Sequence, residues 1–290
     1  MFLSFWIAVD ASLIVQRGLM NQAASNQAFE SLQDALTHAL MHDEMSLQYQ
    51  PIVDGARRII GMEALMRWNS AEYGQIPPSL FVPLAERSGA ILNMGAWALQ
   101  AGCQQLQRWS ESPATAGWTL SINVSARQFN DLHFVDDVLN LINKYQIARD
   151  RLILEVTESM FLNAKGSRQQ NDFRRLRDAG LGIAVDDFGT GFSSMQYLRY
   201  LSISRIKIDK TFVDEVVASK KDQGIVGAIL MLADALEADV VAEGVETAGQ
   251  LSYLKSVGCS AFQGFLFGRP GDAALFTQTC PTPMHCGNDA

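Results

Sequence analysis

Two aspartates, Asp186 and Asp187, stand side by side after the apolar run GIAV and just before a loop with glycines at Gly189 and Gly191. Adjacent carboxylates repel each other, and removing them from water costs free energy unless a cation or a proton compensates the charge. We therefore expect a positive charge close to this pair.

Polar residues recur at the ends of other apolar segments. One acid at a strand end is most often a helix N-cap or a solvated residue, but six oxygen-bearing residues at successive strand ends favour a shared site. So many oxygen ligands suit hard divalent cations such as Mg²⁺ or Mn²⁺, and two ions would explain two adjacent aspartates. The set consists of Glu63, Asn123, Glu155, Asp186, Asp187 and Glu243.

Two further strand ends carry Lys207 and Gln263. Each has a plain structural alternative, because a lysine can serve as the ion-pair partner of a carboxylate and a glutamine as a core amide. The histidines lie away from the strand ends, so the sequence does not indicate a zinc site with histidine ligands.

The segments that carry these residues alternate between strand and helix patterns. Roughly eight strands in about 250 residues match a closed (β/α)8 barrel, in which the carboxyl ends of the strands converge on one rim. A doubly wound open sheet is the alternative, and the absence of a GxGxxG motif after an early strand weakens it. Apolar spacing also predicts that Met195, Met231 and Trp97 belong to the core.

Composition narrows the function classes. The chain has 290 residues, and its net charge of -8 argues against binding to a nucleic-acid polymer through broad phosphate neutralisation. The four cysteines show no paired spacing that would indicate zinc or a disulfide framework, so we expect a reducing cytoplasm. The apolar start MFLSFWIAV is too short to cross a bilayer, and a longer protein attached to a membrane is the alternative to a cytoplasmic one.

Nine ordered motifs point to one family: YQPIVD, EALMRW, PPSLFVPLAERSG, INVSARQ, LEVTES, DDFGTGFSS, KIDKTFV, AEGVET and QGFLFGRP. The chain thereby resembles the EAL-domain phosphodiesterases, which open the bacterial second messenger cyclic di-GMP. The resemblance implies an α/β fold, a modified (β/α)8 TIM-type barrel with its first strand antiparallel to the others. We expect the EAL domain at 29–277, a hydrophobic segment or remnant of a longer chain at 1–28, and a tail at 278–290.

The resemblance also implies roles for matching residues. Lys207 is similar to the family's lysine beside the attacking water, and Glu243 is a candidate proton acceptor. Two divalent cations, Mg²⁺ or Mn²⁺, would activate that water to give linear 5′-pGpG, whereas Ca²⁺ would bind and inhibit. One cation would be held by Glu63, Asn123, Glu155 and Asp186, and the other by Asp186, Asp187 and Glu243.

Other matching residues would bind substrate or support a loop. Arg67 would hold a substrate phosphate, and Glu158 and Glu246 would steady the DDFGTGFSS loop. The substrate pocket would also include Gln50, Leu65 and Gln263.

The set of acids is complete, which favours an enzyme over the alternative, a non-catalytic cyclic di-GMP receptor module. A third interpretation, an unrelated barrel metal hydrolase that acts on another phosphoester, requires discounting the motif series. The resemblance further implies a homodimer, and it leaves open a regulatory domain or partner outside this chain.

Overall fold

The computed structural model describes residues 22–158, 160, 167–189 and 203–277. Helices and strands alternate through these residues. The strands are β1 (Met45–Asp54), β2 (Ile59–Ser70), β3 (Gly74–Ile76), β4 (Thr119–Asn123), β5 (Leu152–Thr157), β6 (Gly182–Phe188), β7 (Arg205–Ile208), β8 (Asp239–Ala242) and β9 (Ala261–Gln263). The helices are α1 (Gln22–His38), α2 (Pro78–Ser88), α3 (Ala90–Ser110), α4 (Ala126–Phe129), α5 (Phe134–Tyr145), α6 (Ser167–Asp178), α7 (Lys210–Asp214), α8 (Lys220–Ala235), α9 (Ala248–Ser256) and α10 (Ala273–Thr277).

Eight of the described strands close into a barrel. Around the barrel they run β1, β2, β4, β5, β6, β7, β8, β9, and β9 pairs back with β1. The strands from β2 to β9 along this path are parallel, whereas β1 is antiparallel to both of its neighbours. Closure confirms the modified barrel and excludes the doubly wound open sheet. The short β3 lies outside this circuit as a hairpin partner of β2.

The main core lies between the barrel wall and the surrounding helices. On β7, Ile206 and Ile208 are fully buried in this core, together with Val226 and Ile229 of α8. Because successive strand residues point to opposite faces, the alternate residues Arg205 and Lys207 face the barrel interior. Apolar burial on the outer face therefore fixes which polar side chains point inward.

A second apolar cluster joins α1 and α2 to the ends of β1 and β2. Leu36 of α1 packs in the same cluster as Trp68 and Phe81. The Trp68 and Phe81 rings meet edge to face at 6.1 Å, and Trp68 Nε1 donates a 2.9 Å hydrogen bond to Glu44. This cluster fixes the position of α1 against the barrel.

The sequence analysis missed β3, α4, α7 and α10, which are all too short to show a period. It was also wrong about Met231, which is 76% exposed because α8 turns its Val226 and Ile229 face toward the barrel. Trp97 packs partly buried against the second cluster as expected, and Met195 lies outside the described residues. Among the described helices, none has both the length and the apolar character needed to cross a membrane.

Candidate active site

The acids expected at the strand ends meet at one end of the barrel, around the ammonium of Lys207. Lys207 is 1% exposed, and its carboxylate partners come from strands spread around the barrel. The distances from Lys207 Nζ are 2.5 Å to Glu243 Oε1, 2.7 Å to Glu155 Oε2, 3.3 Å to Asp186 Oδ1 and 3.4 Å to Glu63 Oε2. The structural alternative given for Lys207 was that it pairs with carboxylates. The geometry shows these ion pairs.

Amide side chains hold Glu63 from two sides. Asn123 Nδ2 donates to Glu63 Oε1 at 2.8 Å, and Gln263 Nε2 donates to Glu63 Oε2 at 2.6 Å. Gln263 Nε2 also donates to Gln50 Oε1 at 3.1 Å, across the seam where β1 closes the barrel. These bonds favour the ionised form of Glu63 and link it to β4 on one side and to β9, beyond β1, on the other.

The pKa values of the lysine and the acids in this cluster reflect both their burial and the nearby charges. Burial lowers the pKa of Lys207, but the surrounding acids, led by Asp186, raise it well above its ordinary value, so the ammonium stays charged. Burial raises the pKa of Glu155 to about 8 against the lowering effect of Lys207. Burial likewise raises the pKa of Glu243 well above its usual range. For Glu63, burial acts to raise the pKa, but Lys207 and the two amides outweigh it and the net direction is downward.

Asp187 differs from its neighbour Asp186 in backbone and in surroundings. Its φ of 54° lies in the left-handed region, which is uncommon for a residue other than glycine and turns the chain just after Asp186. The backbone N–H of Asp187 donates to Asp186 Oδ1 at 3.0 Å. Burial raises the pKa of Asp187 to about 7, helped by the charges of Asp186 and Asp209. The two adjacent aspartates therefore lie in different electrostatic surroundings.

Three of the four residues expected to contact substrate lie on β1 and β2 beside this cluster, and the fourth, Gln263, ends β9. In the β1–β2 register Gln50 pairs with Glu63 and Gln48 pairs with Leu65. Arg67 is half-buried, and its Nε donates to Gln48 Oε1 at 2.8 Å. Gln50 is also anchored by a 3.2 Å hydrogen bond to the carbonyl of Gly268. These residues therefore lie next to Glu63 on the paired strands β1 and β2.

Glu158 contacts the start of the DDFGTGFSS segment, since its Oε2 accepts a 3.0 Å hydrogen bond from the Gly189 backbone N–H. Glu246 instead accepts a 2.8 Å bond from Lys210, which also binds Asp214. Residues 190–202, which contain the rest of the loop, lie outside the described residues. The structure thus brings Glu158 to the described part of the loop, and it places Glu246 in a separate ion-pair group at the same rim.

A protein-family model, the EAL domain, matches residues 33–270. The chain belongs to the EAL-domain family. One relative, the bifunctional diguanylate cyclase/cyclic di-GMP phosphodiesterase MucR of Pseudomonas aeruginosa, is 40% identical over 252 residues, which cover 87% of this chain and 36% of that protein. A cyclic di-GMP phosphodiesterase of the same organism is 38% identical over 249 residues, with 85% and 42% covered. This EAL chain thus spans less than half the length of these relatives.

The fold of this EAL chain is also similar to solved structures. The PaMucR phosphodiesterase in complex with c-di-GMP superposes with a TM-score of 0.80 at 40% identity, covering 84% of this chain and 99% of that one. This agreement confirms the barrel.

EAL phosphodiesterases depend on divalent cations, and the donor set here fits such ions. Through the described residues, no three His, Cys, Asp or Glu side chains are arranged as ligands of one ion, and Lys207 lies where the carboxylates converge. Four carboxylates nevertheless share that single ammonium, and Glu243 Oε2 is buried without a hydrogen-bond partner among the described residues. Excess negative charge and a buried acceptor oxygen suit hard cations.

Sequence reasoning missed several residues that shape the EAL site. Gln48 orients Arg67, Asp209 adds charge beside Asp187, and Lys210 holds Glu246. Asp209 and Lys210 directly follow the strand that carries Lys207, so their position at a strand end was a signal that could have found them. Gln48 carries no such signal, because its role depends on the β1–β2 register.

Proposed function

We propose that this chain hydrolyses cyclic di-GMP to linear 5′-pGpG with two divalent cations, Mg²⁺ or Mn²⁺. The observation that carries the proposal is the convergence of buried carboxylates on Lys207 at one end of an EAL-family barrel. The named activity of two relatives and the c-di-GMP complex of a similar structure support the choice of substrate.

The acids of the site would hold the cations. When bound, the cations would neutralise the phosphodiester and lower the pKa of the attacking water. Asp186 belongs to both proposed ligand sets and would be shared by them. The hydrogen bonds from Asn123 and Gln263 would keep Glu63 ionised and oriented. The proposed ligands are Glu63, Asn123, Glu155 and Asp186 for one ion, and Asp186, Asp187 and Glu243 for the other.

Lys207 and Glu243 would act on the proton of the nucleophile. Because the pKa of Lys207 is well above its ordinary value, its ammonium donates hydrogen bonds and cannot serve as a base at neutral pH. It would therefore orient the attacking oxygen and stabilise its negative charge. Glu243 Oε1 lies 2.5 Å from the Lys207 ammonium, and Glu243 Oε2 is buried without a hydrogen-bond partner among the described residues, so this second oxygen would be placed to accept the proton.

The β1–β2 side of the site would bind the substrate. Arg67 keeps a guanidinium half-exposed at the entrance, where it would make a charge-assisted contact to a phosphate. Leu65 would provide an apolar surface, and Gln50 and Gln263 would provide amide groups at the closing seam. Glu158 would fix the start of the following loop through Gly189.

Incubation with cyclic di-GMP and Mg²⁺ or Mn²⁺, followed by chromatography, tests this proposal. We expect 5′-pGpG as product, no product in chelator, and suppression by Ca²⁺, which prefers longer bonds and more ligands and polarises water less. Tight cyclic di-GMP binding without product would select the receptor function instead. Cleavage in chelator, or cleavage supported equally by Ca²⁺, would contradict the role of the cations.

We also infer that the chain acts as a cytoplasmic homodimer under the control of a regulatory domain or partner. The greater length of the curated relatives supports control from outside this domain, and the free thiols of Cys103 and Cys259 suit a reducing compartment. Light scattering that gives a monomer mass at micromolar concentration would contradict the dimer.

A further inference from the structure

A second buried cation lies inside the barrel beneath the candidate active site. Arg205, the first residue of β7, is only 8% exposed. It precedes Lys207 by two residues, so both side chains leave the same face of the strand about 6–7 Å apart. Its Nε and Nη1 atoms are buried and have no hydrogen-bond partner within the part of the chain that the structure describes.

Two buried acceptors in the same region also have no partner among the described residues. Ser121 Oγ belongs to a fully buried residue of β4, and Glu155 Oε1 belongs to the carboxylate that binds Lys207 through its other oxygen. Ser121 lies on the same face of β4 as Asn123, one step further from the rim. Since Asn123 contacts Glu63 inside the barrel, Ser121 also faces the interior.

A small residue leaves room at this level of the barrel. Ala184 on β6 pairs in register with Arg205 on β7 and with Glu155 on β5, so the register position between these two charged residues carries only a methyl group. A buried donor without a partner destabilises the fold, and more so when it is charged, so several such groups in one place need a common partner. A buried water needs two to four polar partners, and three residues here supply them.

Arg205 and Glu155 also interact electrostatically. Burial lowers the pKa of Arg205, and the carboxylates of Glu155 and then Asp239 act against that effect. The Glu155 carboxylate is therefore within Coulombic reach of a guanidinium that it does not bind directly. A water between them accounts for both observations.

We propose that Arg205 is a positioning residue for Glu155, and that the two are joined by one buried water that Ser121 also binds. This inference rests on the proposed cation-dependent function, in which Glu155 is a ligand. A carboxylate that binds a cation through one oxygen needs its other oxygen fixed, and such supporting partners typically change metal affinity by about 10–100-fold. Arg205 thus orients Glu155 from the side of the barrel opposite the substrate.

The test measures Mn²⁺ binding by calorimetry for wild type, Arg205→Met, Arg205→Lys and Ser121→Ala. We expect about 10–100-fold weaker Mn²⁺ binding for Arg205→Met and a smaller loss for Ser121→Ala, which removes one partner of the water. Arg205→Lys should recover part of the affinity, because it restores the charge but not the planar donor pair. In turnover assays kcat should fall while the KM for cyclic di-GMP stays unchanged.

Arg151→Met is the matched control. Arg151 is also buried, but its donors bind the carbonyls of Trp118, Leu106 and Thr115 and the Ser110 hydroxyl. Losing this arginine should lower the melting temperature without weakening Mn²⁺ binding by the folded protein. A structural role for Arg205 would give the same pattern as this control.

Wild-type Mn²⁺ affinity in Arg205→Met would overturn the inference. If Arg205→Met does not fold, Mn²⁺ binding by Ser121→Ala and a high-resolution crystal structure of the metal-free wild type test the inference instead. The absence of a water between Arg205 and Glu155 in that crystal structure would also overturn the inference. A wild type that neither binds Mn²⁺ nor cleaves cyclic di-GMP would defeat the proposed function, and the water in the metal-free crystal would still test the positioning.

Discussion

The outer face of β7 contributes to stability, whereas its inner face contributes to the candidate active site. On the outer face, Ile206 and Ile208 are fully buried among apolar side chains of the helices. On the inner face, Arg205 and Lys207 are almost as deeply buried but lie among charges. Burial on one face contributes hydrophobic free energy, whereas burial on the other costs desolvation that only neighbouring charges offset.

This difference shows that depth of burial does not identify what a residue does. Removing an outer residue should unfold the barrel without changing its chemistry, and removing an inner acid should do the reverse. The same contrast holds on β5, where Leu154 and Val156 face the helices and Glu155 faces Lys207. The predictions below test the contrast from its largest expected effect to its smallest.

Asp186→Ala should abolish function and leave the fold intact. Loss of several kcal/mol of charge stabilisation at the reacting phosphate corresponds to a fall in turnover of about 10³-fold or more. The metal-free melting temperature should not fall, because the change removes one of four carboxylates that crowd Lys207. Turnover assays and thermal scans check this, with the exposed Asp178→Ala as control. An unfolded Asp186→Ala protein would contradict the separation of the two faces.

Ile206→Ala should have the opposite signature. A large-to-small change at a fully buried site costs about 2–5 kcal/mol in free energy of unfolding, measurable by denaturant titration. The kcat of the molecules that remain folded should be unchanged. Met231→Ala, at a 76% exposed position, is the control and should leave the unfolding midpoint where it was. Equal effects of the two changes would mean that the outer face is not the main core.

Arg67→Ala should weaken substrate binding more than catalysis. A hydrogen bond to a charged group contributes about 1.5–3 kcal/mol, so the KM for cyclic di-GMP should rise about 10- to 100-fold with kcat nearly constant. Arg58→Ala, which removes an exposed arginine, should leave KM as in wild type. A fall in kcat alone would place Arg67 at the reacting atoms instead.

The metal-free protein should lose stability as pH rises. The pKa of Glu155 is raised from 4.5 to about 8 and that of Asp187 from 3.8 to about 7, so over this range the folded state binds more protons than the unfolded state. The free energy of unfolding therefore decreases with increasing pH until about pH 8. Thermal scans should show a smaller slope for Glu155→Gln and for wild type with Mn²⁺. A melting temperature that rises with pH over this range would contradict the raised pKa values of Glu155 and Asp187.

Much of this site followed from the sequence because strand ends converge in any parallel barrel. Apolar runs located the strands, and the acids at their ends came together as expected. The central position of Lys207 did not follow, because it depends on contacts with Glu63 of β2 and Glu155 of β5, which are distant from Lys207 in sequence. Gln48 and Ser121 were missed for the same reason, since neither differs from an ordinary polar strand residue.

The fold, too, could be predicted only in part from the sequence. Helix α8 is apolar on most sides, so its spacing could not show that Met231 faces outward. The direction of β1 was also invisible to periodicity, because alternating burial looks the same in either direction. The family resemblance supplied that direction, and the register with β2 confirms it.

The reversed β1 determines where the preceding helix is attached. In a barrel with eight parallel strands, the first strand enters at the end opposite the active site. Here Met45, the first residue of β1, pairs with Trp68, which lies beyond Glu63 and Arg67 toward the rim. Helix α1 therefore joins the barrel at its catalytic mouth, and a movement of that helix would act on the strand that carries Arg67 without first crossing the length of the barrel.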